Sequence, residues 1–390
     1  MSGGIHVLIG CYFVASFAAL GLPPYLTEIL PGLGDAQAAW AGVLYVVPTV
    51  FAAVAAPLWG RLADRFGPRR MLLRAQSGLA LAFVLAGIAD SVVVLAVALM
   101  LQGVLGGTYA ATQAYLGSRL DARELGTALV LLQGAARAAL LIAPLTIGAL
   151  SHWISPQHQY LWFAALPAAT AVLVLTLPRQ EGSAKESAAT LRPGGDVSPW
   201  LVCAVEAGFV LATVITYPYF LRQMTTWHPG LTSLWASALF ALPHVLYLVS
   251  AAFLHARTAR RPMLALRTGL LAVAAGAASI ALPLPIPVVI AGRLVFGIGM
   301  ALALVALAQL ASRAVRPESS GRTFGVIELF SKLGAVAAGL LASASSTWSP
   351  VAPFLIGAAV AGAFAVLLPS HIPGPRRAEP LLPHLTSEQR

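Results

Sequence analysis

The feature that most constrains this chain is a succession of twelve apolar stretches, each close to twenty residues long and set off by short polar breaks. About twenty apolar residues are what an α-helix needs to cross the ~30 Å hydrocarbon core of a bilayer. Without water, backbone polar groups can be satisfied only inside helices or a closed barrel. Apolar runs and their Gly and Pro breakers place spans at 5–26, 38–59, 71–89, 92–117, 126–150, 160–178, 199–221, 233–254, 263–282, 286–311, 322–344 and 350–369. Soluble domains carry about 25% charged residues; this chain of 390 carries 10%, with 58% hydrophobic. A water-soluble fold is excluded, and no room remains for a sizeable soluble domain.

The net charge of +10 does not imply a nucleic-acid partner, because the basic residues sit in short loops between apolar runs and form no solvated face. Twenty of the 24 Lys and Arg fall on alternate connections: 61–74, 119–123, the central linker, 257–267, 313–322 and the tail. The positive-inside rule then puts both termini in the cytoplasm, with an even number of spans. The expected location is a plasma membrane, the inner membrane of a bacterium, since 22 Arg against two Lys points to a GC-rich genome. Cys11 and Cys203 lie inside apolar segments and read as buried, inert thiols. The first run lacks a basic leader and is read as a retained span.

Two halves of six spans superimpose at an offset of 194 to 195. Pro24-Tyr25 matches Pro218-Tyr219, Gly103 matches Gly297, and Ser118-Arg119 matches Ser312-Arg313. One residue later in register, Gly126 matches Gly321, Gln133 matches Glu328, and Arg137 matches Lys332. The expected organisation is an N-terminal six-helix bundle (1–178), a linker (179–198), a C-terminal bundle (199–369) and a tail (370–390). Parallel repeats of this kind place a binding site between the halves, near the bilayer midplane.

The connection after span two reads Gly60-Arg61-Leu62-Ala63-Asp64-Arg65-Phe66-Gly67-Pro68-Arg69-Arg70. The glycines permit a tight turn, and the carboxylate can hold a helix N-terminus or an arginine. This motif resembles the signature between spans two and three of the major facilitator superfamily, and the resemblance extends over the whole chain through the twelve spans, the two halves and the linker. It implies that Gly60, Asp64, Arg65, Gly67 and Arg69 latch the cytoplasmic side and govern the switch between outward- and inward-facing states. The equivalent connection of the second half, 255–267, keeps arginines but has no acid, so its latch is degraded. Arg293-Leu-Val-Phe-Gly297-Ile-Gly299 in span ten is similar to the family's span-four motif, whose arginine is linked to proton coupling; in span four itself Leu99 takes that place. Ala143-Pro144-Leu-Thr-Ile-Gly148 resembles part of the span-five motif of the family's exporters.

Five charges are embedded: Glu206, Glu328, Lys332, Arg137 and Arg293. Each costs at least about 2.5–3.5 kcal/mol at the bilayer centre, so they should face one another or a wet cavity. Glu328 and Lys332 stand one helical turn apart and can pair, either as a structural tie or as a protonatable acid tuned by a lysine. Glu206 has no such neighbour and suits a proton carrier or a cation site. Arg137 can pair with a carboxylate across the bundle or bind an anionic substrate. Tyr109, Gln113, Thr213, Thr216, His244 and Tyr247 are polar positions on apolar helices, candidates for lining the cavity that spans one, four, seven and ten form in the family. Gly32-Leu33-Gly34-Asp35 imitates an intramembrane aspartyl protease motif, but no second mid-span Asp exists to complete that chemistry.

The expectation is therefore an all-α membrane protein with twelve transmembrane helices in two pseudo-symmetric six-helix bundles. It is not an enzyme, and it uses the proton gradient with no cofactor and no metal. It is expected to act as a monomer in the lipid bilayer, exporting a small organic molecule (a drug, a dye or a secreted metabolite such as a siderophore) by alternating access and proton antiport. The alternatives are an importer or facilitator of a small anionic metabolite, resting on Arg137 and Arg293, and a non-transporting membrane receptor.

Overall fold

The computed structural model describes residues 3–22, 25–36, 40–151, 153–176, 197–231, 233–346 and 348–369. Most of the expected linker and the whole expected tail lie outside the described residues. Within them there is no β-strand, and twelve helical crossings follow in order. Spans one to six are Gly3–Gly21, Ala41–Phe66, Pro68–Gly87, Val92–Leu105 continued by Thr108–Gly117, Ala122–Leu150 and Pro156–Thr176. Spans seven to twelve are Pro199–Val214 continued by Tyr217–Trp227, Ser233–Thr258, Pro262–Ile280, Ile286–Ala314, Ser320–Ser346 and Ala352–Leu367.

The helix ends have local causes. Asp121 caps span five, its Oδ1 accepting the N–H of Arg123 at 2.9 Å and of Glu124 at 2.8 Å. Asp35, the acid of the protease-like decoy, accepts the N–H of Trp40 at 2.9 Å at the entry to span two. Prolines stand in the first turn of spans three, seven and nine, where the missing N–H costs nothing.

Three expectations of the helix map are corrected. Residues 60–66 are not loop: span two runs on to Phe66, and the turn is Gly67 alone, at φ 87°. Only glycine takes that conformation without strain, and Pro68 starts the next helix at once. Span four is not continuous but breaks at Gly106-Gly107, with Gly107 at φ 59°. The carbonyls freed there are taken by side chains: Trp59 Nε1 donates to Val104 O at 2.7 Å and Arg74 Nη1 to Leu105 O at 2.6 Å. Arg74, grouped above with the loop arginines, thus lies inside span three with its guanidinium 3.7 Å from the Trp59 ring.

Packing inside the bundle uses small residues. A Cβ on Gly269 would lie 2.8 Å from Ala303 N and from Gly299 O, so spans nine and ten touch backbone to backbone. Large apolar side chains such as Val249 and Leu367 face outward, toward lipid. Each half ties its third span to its sixth through an arginine. Arg69 donates to Val174 O at 3.2 Å and to Leu175 O, and Arg267 donates to Ala365 O at 3.0 Å. The halves meet mainly through spans two and eleven, and through span five against spans eight and ten.

Candidate functional site

Spans two and eleven cross at the arginine-rich end of the bundle, where both lack side chains. A Cβ on Gly60 would strike the Gly321 carbonyl oxygen and come 3.2 Å from Gly325 Cα. A Cβ on Gly325 would lie 2.7 Å from Ala56 O. This contact brings the Asp64 carboxylate to the first turn of span eleven. Its Oδ1 accepts the N–H of Gly321 at 2.8 Å and its Oδ2 the N–H of Arg322 at 2.9 Å. A carboxylate thus caps a helix N-terminus belonging to the other half. Ser320 adds a bond from its hydroxyl to Ala114 O at 3.1 Å. Arg65 lies over its neighbour Phe66, 5.3 Å from the ring centroid, and Arg69 serves the span three to span six tie, so of the five motif residues Gly60 and Asp64 make the contact between halves.

Span five closes the other side of the same end. Tyr247 donates to Val130 O at 2.9 Å, and Thr127 Oγ1 lies 3.1 Å from His255 Nε2. Tyr247 is fully buried at this seam.

Behind the seam lies a small cavity with one wall from each half. Tyr109, Gln113, Leu129 and Gln133 face Val202, Glu206, Leu304, Ile327, Glu328 and Ser331. Seven and eight residues of helix, at 1.5 Å each, put Glu206 and Glu328 about 10–12 Å inside the basic end. Glu328 Oε1 pairs with Lys332 Nζ at 3.3 Å. Glu206 Oε1 instead accepts a hydrogen bond from the neutral Ser331 hydroxyl at 3.1 Å, and no ion pair reaches it among the described residues. Gln133 donates to the Tyr109 hydroxyl at 2.8 Å, and Tyr12 stacks on Tyr109 with ring centroids 5.2 Å apart. The Nε of Arg137 is buried without a partner.

The remaining embedded charge has another role. Pro243 in span eight has no N–H for the carbonyl of Leu239, four residues earlier. Arg293 supplies the missing donor, bonding Leu239 O at 3.0 Å and Phe240 O at 3.1 Å, with Phe220 and Phe296 rings at 4.4 and 5.0 Å. Gly297 lets span ten approach Pro243, to 2.9 Å from a would-be Cβ. The span-ten motif thus braces a proline break. Thr213 and Thr216 are buried and bond carbonyls of their own helix, at 2.9 and 2.8 Å. His244 is buried beside Tyr217 and Phe240, ring centroids 6.1 and 6.3 Å away, with Nδ1 unpartnered.

A family model described as Major Facilitator Superfamily matches residues 8–229, more than half of the chain. The chain belongs to the Major Facilitator Superfamily. It is a multi-pass membrane protein with that superfamily's fold. Across 150 residues it is 36% identical to the multidrug resistance protein MdtG of Proteus mirabilis strain HI4320, a match covering 37% of each protein. The chain thus spans little more than a third of the curated relatives it matches. The human organic anion transporter MFSD10 (TETRAN) superimposes with a TM-score of 0.75 at 18% identity, over 94% of this chain and 100% of that one. The proton:xylose symporter XylE superimposes at 0.73 and 13% identity, over 95% of each.

Within this superfamily frame, sequence reasoning missed Gln133, Ser331, Tyr12, Trp59 and Arg74. Signals for some of them were present. Gln133 stands one turn before Arg137, Ser331 lies one turn after Glu328, and Gly106-Gly107 is a helix breaker in plain view.

Proposed function

We propose that this transporter is a proton-coupled exporter of small amphipathic organic molecules from the cytoplasm of a bacterium. Its basic end faces the cytoplasm, as the positive-inside rule requires. On that orientation the closed end is cytoplasmic. The observation that carries the reading is the cavity behind the Asp64 seam. Its two carboxylates stand on the C-terminal half with Ser331 beside them, and the polar groups Tyr109, Gln113 and Gln133 stand on the N-terminal half. Rocking the halves about this cavity changes, in one motion, which side reaches the carboxylates and what surrounds them. That is the coupling alternating access needs. Glu206, held by a hydroxyl and not by a cation, is the exchange site, and Glu328 with Lys332 is its charged neighbour. Three observations support export: the multidrug name of the relatives, the partial span-five motif, and the Leu, Ile and Ala lining of the cavity.

The unpartnered Nε of Arg137 favours a second reading, binding of an organic anion. Everted membrane vesicles with an acid interior separate the two. Cationic dyes, neutral drugs and carboxylate or hydroxamate iron chelators are added, and substrate-induced proton release is followed. Release with one class, lost in Glu206→Gln or Glu328→Gln but not in Arg137→Gln, supports the exporter. Absence of release with every class, together with anion uptake lost in Arg137→Gln, supports the second reading.

A further inference from the structure

The second half lacks an acid at the position matching Asp64, yet its seam is not bare. By the repeat offset of 195, Gly126 and Thr127 at the start of span five match Gly321 and Arg322 at the start of span eleven. Asp64 holds the latter pair. His255, near the end of span eight, holds the former: its Nε2 is 3.1 Å from Thr127 Oγ1, and a Cβ on Gly126 would sit 3.5 Å from its Cε1. We propose that His255 is the second cytoplasmic latch, and that its protonation from the cytoplasm releases span five from span eight. This rests on the alternating-access reading above and adds to it a sensor of cytoplasmic acidity.

The hydrogen-bond directions define the switch. Gln309 Nε2 donates to the His255 backbone carbonyl at 3.0 Å, which fixes the amide nitrogen toward the ring. The same nitrogen lies 3.1 Å from His255 Nδ1, so Nδ1 is the acceptor and the ring proton is on Nε2. Nε2–H therefore donates to Thr127, whose hydroxyl donates onward to Arg123 O at 3.2 Å. A second proton can enter only at Nδ1, where it meets the N–H of Gln309, donor against donor. The Gln309 amide cannot turn away, because its two N–H serve the His255 carbonyl and Nδ1, and the Thr258 hydroxyl, which donates to Leu254 O at 2.8 Å, packs beside it. The ring turns instead, and the Thr127 bond goes with it. The charged groups at this corner are Asp121, Arg123 and Glu124 of span five, Arg313 of span ten, and Arg257, Arg260 and Arg261 at the end of span eight and the turn beyond. Asp121 is committed to the N–H groups of Arg123 and Glu124, and Arg313 to Ala259 O at 2.6 Å. An imidazolium here adds to a cationic rim.

The test reads the seam directly and needs no substrate. Spin labels are placed at Ala122→Cys and Ala256→Cys, both exposed, in a protein lacking Cys11 and Cys203, and the distance distribution is measured in nanodiscs at pH 7.5 and 5.5. Loss of one or two hydrogen bonds raises the ratio of open to closed seam roughly threefold to tenfold on acidification. In His255→Gln, whose neutral amide still reaches Thr127, the ratio does not respond. The same pH response in His255→Gln overturns the proposal. So does a wild type unmoved by pH while Asp64→Asn opens the seam. A seam that neither acid nor Asp64→Asn opens counts against the latch and alternating-access reading itself.

Discussion

Asp64 on span two accepts the backbone N–H of Gly321 on span eleven at 2.8 Å, so one half of the molecule supplies the helix cap of the other. Helix caps and charge–dipole contacts are each worth about 0.5–1 kcal/mol. Asp64→Asn keeps one acceptor oxygen and loses the charge. We expect the closed population of the basic end to fall roughly twofold to fivefold, read from spin-label distances across that seam. An unchanged distribution would mean that packing alone holds it.

The glycine crossing should matter more than the cap. In Gly60→Ala the new methyl meets the Gly321 carbonyl, which is backbone and cannot turn aside. Overpacking costs about 1–3 kcal/mol, and here it falls on a contact that exists only when this end is closed. Transport should drop about tenfold or more while the amount of inserted protein stays level. Gly339→Ala, with nothing within 4 Å of its Cβ, is the control and should transport within about twofold of wild type.

The Glu328–Lys332 pair lets folding and transport be separated. Glu328 is nearly buried, so removing either partner leaves an embedded charge unpaired and should cost about 3 kcal/mol. Glu328→Gln with Lys332→Gln should recover the thermal stability lost in either single variant. Transport should not recover, because the acid itself is needed. Recovery of both would make the pair a structural tie only.

Arg293 and Pro243 form a compensating couple. Arg293→Ala leaves the buried Leu239 carbonyl without a donor and removes a second bond to the half-buried Phe240 carbonyl, and should destabilise the detergent-solubilised protein by about 2–3 kcal/mol. Pro243→Ala restores an N–H for Leu239 O inside the helix. In that background, Arg293→Ala should cost measurably less, a coupling that a double-mutant cycle of unfolding transitions reads directly. Additive losses would show that Arg293 does not act through that carbonyl.

The residues that could be placed from the chain are those whose partners are near in sequence or set by the repeat. Asp64 between two glycines, the Glu328–Lys332 turn and the Gly126–Gly321 match are of this kind. Arg293 was visible as a buried charge, but its partner was not, because the carbonyl it serves is freed by a proline fifty residues away. Arg74 looked like one more loop arginine because its caps, Trp59 and Leu105, come from two other helices. His255 stood in a connection that seemed merely to have lost its acid.

The amino-acid sequence alone determined the medium, the number of crossings, the two-fold repeat and the family, because about twenty apolar residues per crossing, short basic connections and a local motif are one-dimensional quantities. Tertiary structure alone decided which buried polar groups meet. In a bundle without water each freed carbonyl and each embedded charge must find a partner on whichever helix passes nearby, and that neighbour is chosen by how the helices pack.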